Sequence, residues 1–277
     1  MIEVGKWQTL KIIRSKDFGV YLGEQEDSEE DVLLPRKQVP EDLKTGDEIE
    51  VFIYRDSQDR KIATVNHPKL TVGEIGSLKV VSVSSIGAFM DCGLERDVLL
   101  PFKEQTTQVS VGEEYPVYMY VDKSERLCVT MRLYSHLDIQ PPYAKDDAFR
   151  GVVYEYKDHM GAFVIVDGRY SGLIPKNEIF HRIQVGDKVE GRVLNVREDG
   201  KMDLSVRRPA HLQMDVDRDI ILQRLEELNG VLPFTDKASP ERIRQEFSMS
   251  KNEFKRAIGR LLKEGQIEIT EQEIRKK

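Results

Sequence analysis

Cysteine is nearly missing from this 277-residue chain: only Cys92 and Cys128 occur. Two thiols build neither a disulfide scaffold nor a four-cysteine zinc site, which points to a reducing cytoplasm. Long apolar runs are missing too. The longest stretch without a charge, Val80 to Met90, is too short to span a bilayer. The opening residues Met1 to Lys6 do not follow the basic, apolar and small-residue order of a signal peptide. Histidine is scarce. His67, His136, His159, His181 and His211 are scattered, and no two have the i, i+4 spacing of a zinc helix. No Gly-rich phosphate loop occurs. Acidic groups such as Asp146-Asp147 and Glu29-Glu30-Asp31 fall in loop-like stretches, where carboxylates solubilise, and a two-metal nuclease needs several that converge. The expectation is a non-enzyme with no cofactor, no metal and no membrane partner.

An overall positive charge is also lacking: the net charge is −7. Lys and Arg number 10 against 15 Asp and Glu in residues 1–66, and 8 against 10 in residues 67–145. Residues 146–210 balance at 11 each and residues 211–277 at 13 each. A nucleic-acid binder needs local positive potential more than global charge, so a contact surface is expected in the second half.

What is present is a repeat. Three segments open on Gly46, Gly112 and Gly186, each running into alternating apolar residues such as Ile49, Val51 and Ile53. A short closing strand follows each: Lys61–Val65, Leu127–Met131 and Met202–Val206. Eleven residues before each glycine stands Pro35, Pro101 or Pro175, behind two apolar residues. Further back come Phe18-Gly19-Val20-Tyr21, Ile86-Gly87-Ala88-Phe89 and Met160-Gly161-Ala162-Phe163. Four landmarks recurring in order three times define three units. Each reads as five short strands that can close into a small barrel, and the glycine inside strand two suggests a bulge or bend there. The expected domains are residues 1–66, 67–141 and 142–210. Pro68, Pro141-Pro142 and Pro209 fall at the junctions, which suggests beads on a short, semi-rigid string. Cys92 and Cys128 are expected on strands three and five of unit two as small core residues.

The last domain, residues 211–277, changes period to 3.6. Ile220, Ile221, Leu222, Leu225 and Leu228 form a helical stripe from about Asp217 to Asn229-Gly230. Ser239-Pro240 starts a second helix, which runs to about Phe247. Ser250 and Glu253 form a capping box for a third, about Lys251 to Lys263, with Phe254, Ala257, Ile258, Leu261 and Leu262 inward. Ile267 and Ile269 then alternate as a strand, with Ile274 on a return strand.

The units resemble the ribosomal small-subunit protein S-one RNA-binding domain, an OB-fold variant. Unit three is the nearest to it, through Gly161-Ala162-Phe163, Gly172-Leu173-Ile174, Val185-Gly186-Asp187 and Asp203 to Val206. All three depart at the family's histidine, replaced by Pro35, Pro101 and Pro175. The C-terminal arrangement resembles a winged helix. The module order resembles the bacterial conserved virulence factor B family, which implies a cytoplasmic RNA-binding regulator that acts after transcription. The fold expected is therefore mostly β: three tandem five-stranded OB-fold barrels and a small α+β winged-helix domain.

Single strands are held by aromatic stacking and cations along the backbone. In unit three the candidates are Phe163 and Tyr170 for stacking, with His159, Lys157, Arg169, Arg192 and Lys201 around them. On the third helix they are Lys251, Lys255, Arg256 and Arg260. At Arg192's place units one and two carry Phe52 and Tyr118, and two residues later Tyr54 and Tyr120. These aromatics are expected to pack module against module, and the acidic stretch Glu24 to Asp31 to repel RNA. Units one and two are thus read as scaffold, and unit three with the winged helix as the grip on single-stranded RNA. Two other readings stand beside this: duplex DNA read by the third helix, and a protein-docking adaptor on ribosomes or a nuclease complex.

Overall fold

Residues 26–29, 180–181 and 207–209 lie outside the described part of the computed structural model, as do the side chains of residues 210–215. Most of the acidic stretch before Asp31, and Pro209, His181 and His211, fall there.

Barrel one consists of β1 (Trp7–Lys16), β2 (Gly19–Gly23), β3 (Val32–Pro35), β4 (Glu48–Arg55) and β5 (Lys61–Thr64). Barrel two repeats this with β6 (Ile75–Val83), β7 (Gly87–Asp91), β8 (Val98–Pro101), β9 (Glu114–Val121) and β10 (Leu127–Thr130). Barrel three does so with β11 (Ala148–Lys157), β12 (Gly161–Val166), β13 (Tyr170–Pro175), β14 (Lys188–Val196) and β15 (Met202–Ser205). In each, the first strand pairs antiparallel with the second and fourth, and the third and fifth are parallel, so the sheet closes without a free edge. Each barrel encloses its own apolar core. Leu22, Leu34 and Ile53 fill the first, Met90, Leu100 and Met119 the second, and Val164, Ile174 and Leu204 the third.

The bulge sits on the first strand, at Ile13, Val81 and Tyr154, rather than at the glycine of strand two. The glycine answers a different demand. A Cβ on Gly19, Gly87 or Gly161 would stand 2.1–2.3 Å from the carbonyl oxygen of Leu34, Leu100 or Ile174 on the adjoining strand. Only hydrogen fits between those backbones. A second repeated device ties off each barrel. Thr64, Thr130 and Ser205, all buried on the closing strand, donate hydroxyl hydrogen bonds to Gln38, Glu104 and Glu178 in the short turn after strand three. Cys92 follows β7, the second strand of its barrel, instead of lying on the third. Both thiols are buried, and burial with Asp122 nearby pushes Cys128 up to about 12.

The barrels are not beads on a string. Val121 and Leu127 of barrel two pack against the core of barrel one, and Arg126 pairs with Asp59 across that seam at 2.9 Å. Between barrels two and three a separate apolar cluster forms. It holds Leu133, Leu137, Tyr154 and Ile165, with Ile75, Tyr118 and Phe163 around them. The linker histidines take part. His67 lies 4.5 Å from the Trp7 ring and His136 stacks on Tyr118 at 3.7 Å. Of the aromatics expected at module contacts, Tyr118 lies in the cluster between barrels two and three, Tyr54 lines a cleft between barrels one and two, and Phe52 stands 5.8 Å from the Trp7 ring that meets His67.

The C-terminal domain contains α1 (Ala210–Glu227), β16 (Val231–Leu232), α2 (Pro240–Phe247), α3 (Lys251–Lys263), β17 (Ile267–Ile269) and β18 (Ile274–Lys276). The first helix begins at Ala210, well before Asp217, and β16 adds a third strand to the expected hairpin. Ser239 caps α2, and Ser250 and Glu253 form the capping box of α3. Phe234, Phe247 and Phe254 meet at 5.3–6.2 Å in the core. Ile220 and Leu262, expected inward, are outward-facing at 39% and 46% exposure. The inward positions of those helices are filled by Ile221, Leu225, Ile258 and Leu261. No described helix is long and apolar enough to cross a membrane.

Candidate nucleic-acid interface

The expected residues of barrel three divide into two groups. Phe163 points outward from β12, but barrel two's tail covers that side. Its ring is half-buried and tilts against Tyr154 at 6.1 Å, within the seam cluster. Lys157 stands over the ring at 4.9 Å and pairs with Glu155 at 3.1 Å. Tyr170 is half-buried against the barrel core, edge-on to Tyr143. His159 is exposed in the turn after β11.

The other group is cationic, and most of it is already paired. Arg169 pairs with Asp138, which raises its pKa. Arg192 donates from Nη1 to Asp146 at 2.6 Å, while its Nε is buried without a partner. Lys201 pairs with Asp199 at 2.7 Å and lies 5.4 Å from the Tyr134 ring centre; both neighbours raise its pKa. On α3, Lys255 faces Asp236 at 3.5 Å and Arg260 faces Glu264 at 2.9 Å. Lys251 opens that helix half-buried, and Arg256 lies exposed along it. Exposed pairs contribute about 0–1 kcal/mol, so a phosphate can replace the carboxylate at small cost.

A cluster that the sequence reading passed over lies on barrel one. Phe18 is 58% exposed and sits edge-on to Tyr21 at 6.2 Å. The Arg14 guanidinium lies 4.1 Å over the Tyr21 ring and pairs with Asp31. Arg36 and Lys37 are exposed on the adjoining turn, where the Arg36 amide donates to the Phe18 carbonyl at 2.9 Å. Two rings and the Arg14 cation thus share one corner, with Arg36 on the adjoining turn, while Lys37 reaches from that turn to Glu95 of barrel two. The signal was the aromatic before the bend glycine, found only in this unit. The acid excess of residues 1–66 obscured it. The equivalent of Tyr21 in barrel two, Phe89, faces a cleft of about 350 Å³ walled on the other side by Tyr54 and Arg55 of barrel one. Among the described residues no group of three or more His, Cys, Asp or Glu is placed to hold a metal ion.

Closed five-stranded barrels in tandem, ring and cation clusters on their outer faces, and a terminal winged helix define a nucleic-acid-binding regulatory protein. The S1 domain model matches residues 4–66 and 72–132. The second-domain model of virulence regulatory factor CvfB matches residues 139–208, and the CvfB-like winged helix domain model matches residues 219–275. The chain belongs to the conserved virulence factor B family. It is 30% identical over 250 residues to conserved virulence factor B of Staphylococcus aureus strain N315, covering 87% of this chain and 83% of that one. It is 32% identical to the uncharacterized protein YitL of Bacillus subtilis strain 168, covering 95% and 90%. In fold it is similar to a multidomain protein with nucleic acid binding domains from Streptococcus pneumoniae TIGR4. That likeness has a TM-score of 0.53 at 23% identity and covers 99% and 98% of the two chains.

Proposed function

We propose that this chain binds single-stranded RNA in the cytoplasm and regulates gene expression after transcription, without catalysing a reaction itself. The observation that carries the reading is the open corner of barrel one. Phe18 is presented to solvent beside the half-buried Tyr21, over which Arg14 lies, and Arg36 is exposed on the adjoining turn: rings and cations together, as a strand with free bases needs. The cations of barrel three (Lys157, Arg169, Arg192, Lys201) and of α3 (Lys251, Lys255, Arg256, Arg260) extend the contact along the backbone. His159 and Tyr170 stand at the rim, and Phe163 supports the barrel three side from within the seam. A balanced or acidic charge in every module makes the affinity modest and salt-sensitive.

The test is fluorescence anisotropy of the full chain at two salt concentrations with labelled single-stranded RNA, single-stranded DNA and duplex DNA. The expected order is RNA first and duplex last. Duplex preference would move the function to α3 and DNA, and no binding to any probe would leave the protein-docking reading.

A further inference from the structure

The linker between barrels two and three holds an aromatic ring in a fixed position. Leu133 and Leu137 are 0% and 8% exposed, both anchored in the seam cluster. Between them runs a single helical turn, Tyr134–His136, and His136 is stacked on Tyr118. With three anchors around it, the Tyr134 ring is turned out at 55% exposure, and Lys201 of barrel three reaches over it.

The start of the linker is fixed as well. Arg132 donates from Nε to the Lys103 carbonyl at 2.9 Å, which clamps it to the corner of barrel two. There the Phe102 ring is 51% exposed, next to Ile86, whose carbonyl accepts its amide hydrogen. Barrels one and three carry exposed Arg36 and Lys176 at this position, with the same amide bond to the residue before the bend glycine. Barrel two alone replaces the cation by a ring. Lys103 and Arg132, both exposed, restore the charge beside it.

We propose that the junction of barrels two and three is itself a single-stranded RNA contact, with Phe102 and Tyr134 stacking bases and Lys103, Arg132 and Lys201 holding phosphates. The strand would cross from one barrel to the next over the linker. The inference rests on the RNA reading above. It is favoured over a protein helix because the two rings are interspersed with the exposed cations Lys103 and Arg132 and with Lys201. Of the carboxylates nearby, Glu104 stands 3.9 Å from Arg132 and is occupied by the Thr130 hydroxyl, and Asp199 pairs with Lys201 at 2.7 Å where both are partly exposed, so a phosphate displaces it at small cost. Ordered rings lose little entropy on binding, which is the advantage of fixing Tyr134 between buried leucines.

The test is anisotropy of the full chain with a labelled oligouridine RNA. Phe102→Ala and Tyr134→Ala are each expected to weaken binding about tenfold, within the range found for base–aromatic stacking. Tyr134→Phe, which keeps the ring, is expected to bind like the parent. Lys103→Gln, Arg132→Gln and Lys201→Gln combined should reduce the slope of log K against log salt by about 2. Phe102 and Tyr134 are more than half exposed, so thermal unfolding should not change in their variants, whereas the triple variant also loses the Arg132 bond to the Lys103 carbonyl and should unfold at a slightly lower temperature. Parent-like binding by the two alanine variants, with binding still weakened in Phe18→Ala, would overturn the junction contact and leave the RNA reading intact. Absence of RNA binding by the parent chain would overturn both.

Discussion

Barrels one and three carry the same repeat position and put it to different uses. Tyr21 on β2 and Phe163 on β12 are equivalent, each two residues beyond the bend glycine. Phe163 joins the seam with Leu133, Leu137 and Tyr118, because a barrel and its linker precede it. Tyr21 lies outside the seams, and among the described residues its ring meets the Arg14 guanidinium and the edge of Phe18. Barrel two lies between the extremes, with Phe89 facing a cleft against barrel one. The same repeat position is thus drawn into a seam in barrel three, faces a cleft in barrel two and stays outside the seams in barrel one.

The largest effect that probes this contrast is on stability. Leu133→Ala removes a fully buried side chain from the seam and is expected to cost about 2–5 kcal/mol in denaturant unfolding. A cost below about 0.5 kcal/mol would mean that the seam is not a packed core. Next comes binding. Phe18→Ala should weaken single-stranded RNA binding about tenfold and leave the unfolding midpoint unchanged, since the ring is exposed. Phe163→Ala should do the reverse, lowering the midpoint clearly while changing affinity less than Phe18→Ala does. Equal midpoints for the two variants would erase the distinction.

The smallest effect is pH-dependent. Burial lowers the pKa of the His136 imidazole below its ordinary 6.5, so the folded chain keeps it neutral where the unfolded chain takes up a proton. The stability this adds is complete above pH 6.5 and is lost as the pH falls below that value. In His136→Phe the difference in unfolding free energy between pH 7.5 and pH 5.5 should shrink. An unchanged difference would show that the imidazole does not titrate against the seam.

The three-barrel fold was legible because it rests on local rules that the repeat multiplies by three. Alternating strands, the glycine under a neighbouring carbonyl, and the Gly46, Gly112 and Gly186 turns each recur at nearly fixed spacing. The winged helix was legible through its caps, Ser239 and Ser250, which follow from the donors left open at a helix start. The strand bulges at Ile13, Val81 and Tyr154 were not, since nothing in an apolar residue says that it is the unpaired one. Ile220 and Leu262 misled because a stripe five residues wide exceeds the face that α1 and α3 bury against each other. The site was the least legible part. A ring's role depends on what covers it, and seams join residues far apart in sequence, as with Phe163 and Leu133. Regional charge counts pointed away from barrel one, although Arg14 lies over Tyr21 there and Arg36 is exposed on the adjoining turn. Tyr134 lies in a linker, where no repeat draws attention to it.

The most direct test of the central claim, that RNA is held by the rings the array leaves open, is photocrosslinking. The full chain would be irradiated with single-stranded RNA containing 4-thiouridine, and the crosslinked peptides mapped by mass spectrometry. The account predicts crosslinks at the Phe18–Tyr21 corner and at Tyr134, with none at the covered Phe52. Crosslinks confined to α3, or concentrated on Phe52 and the buried seams, would contradict it.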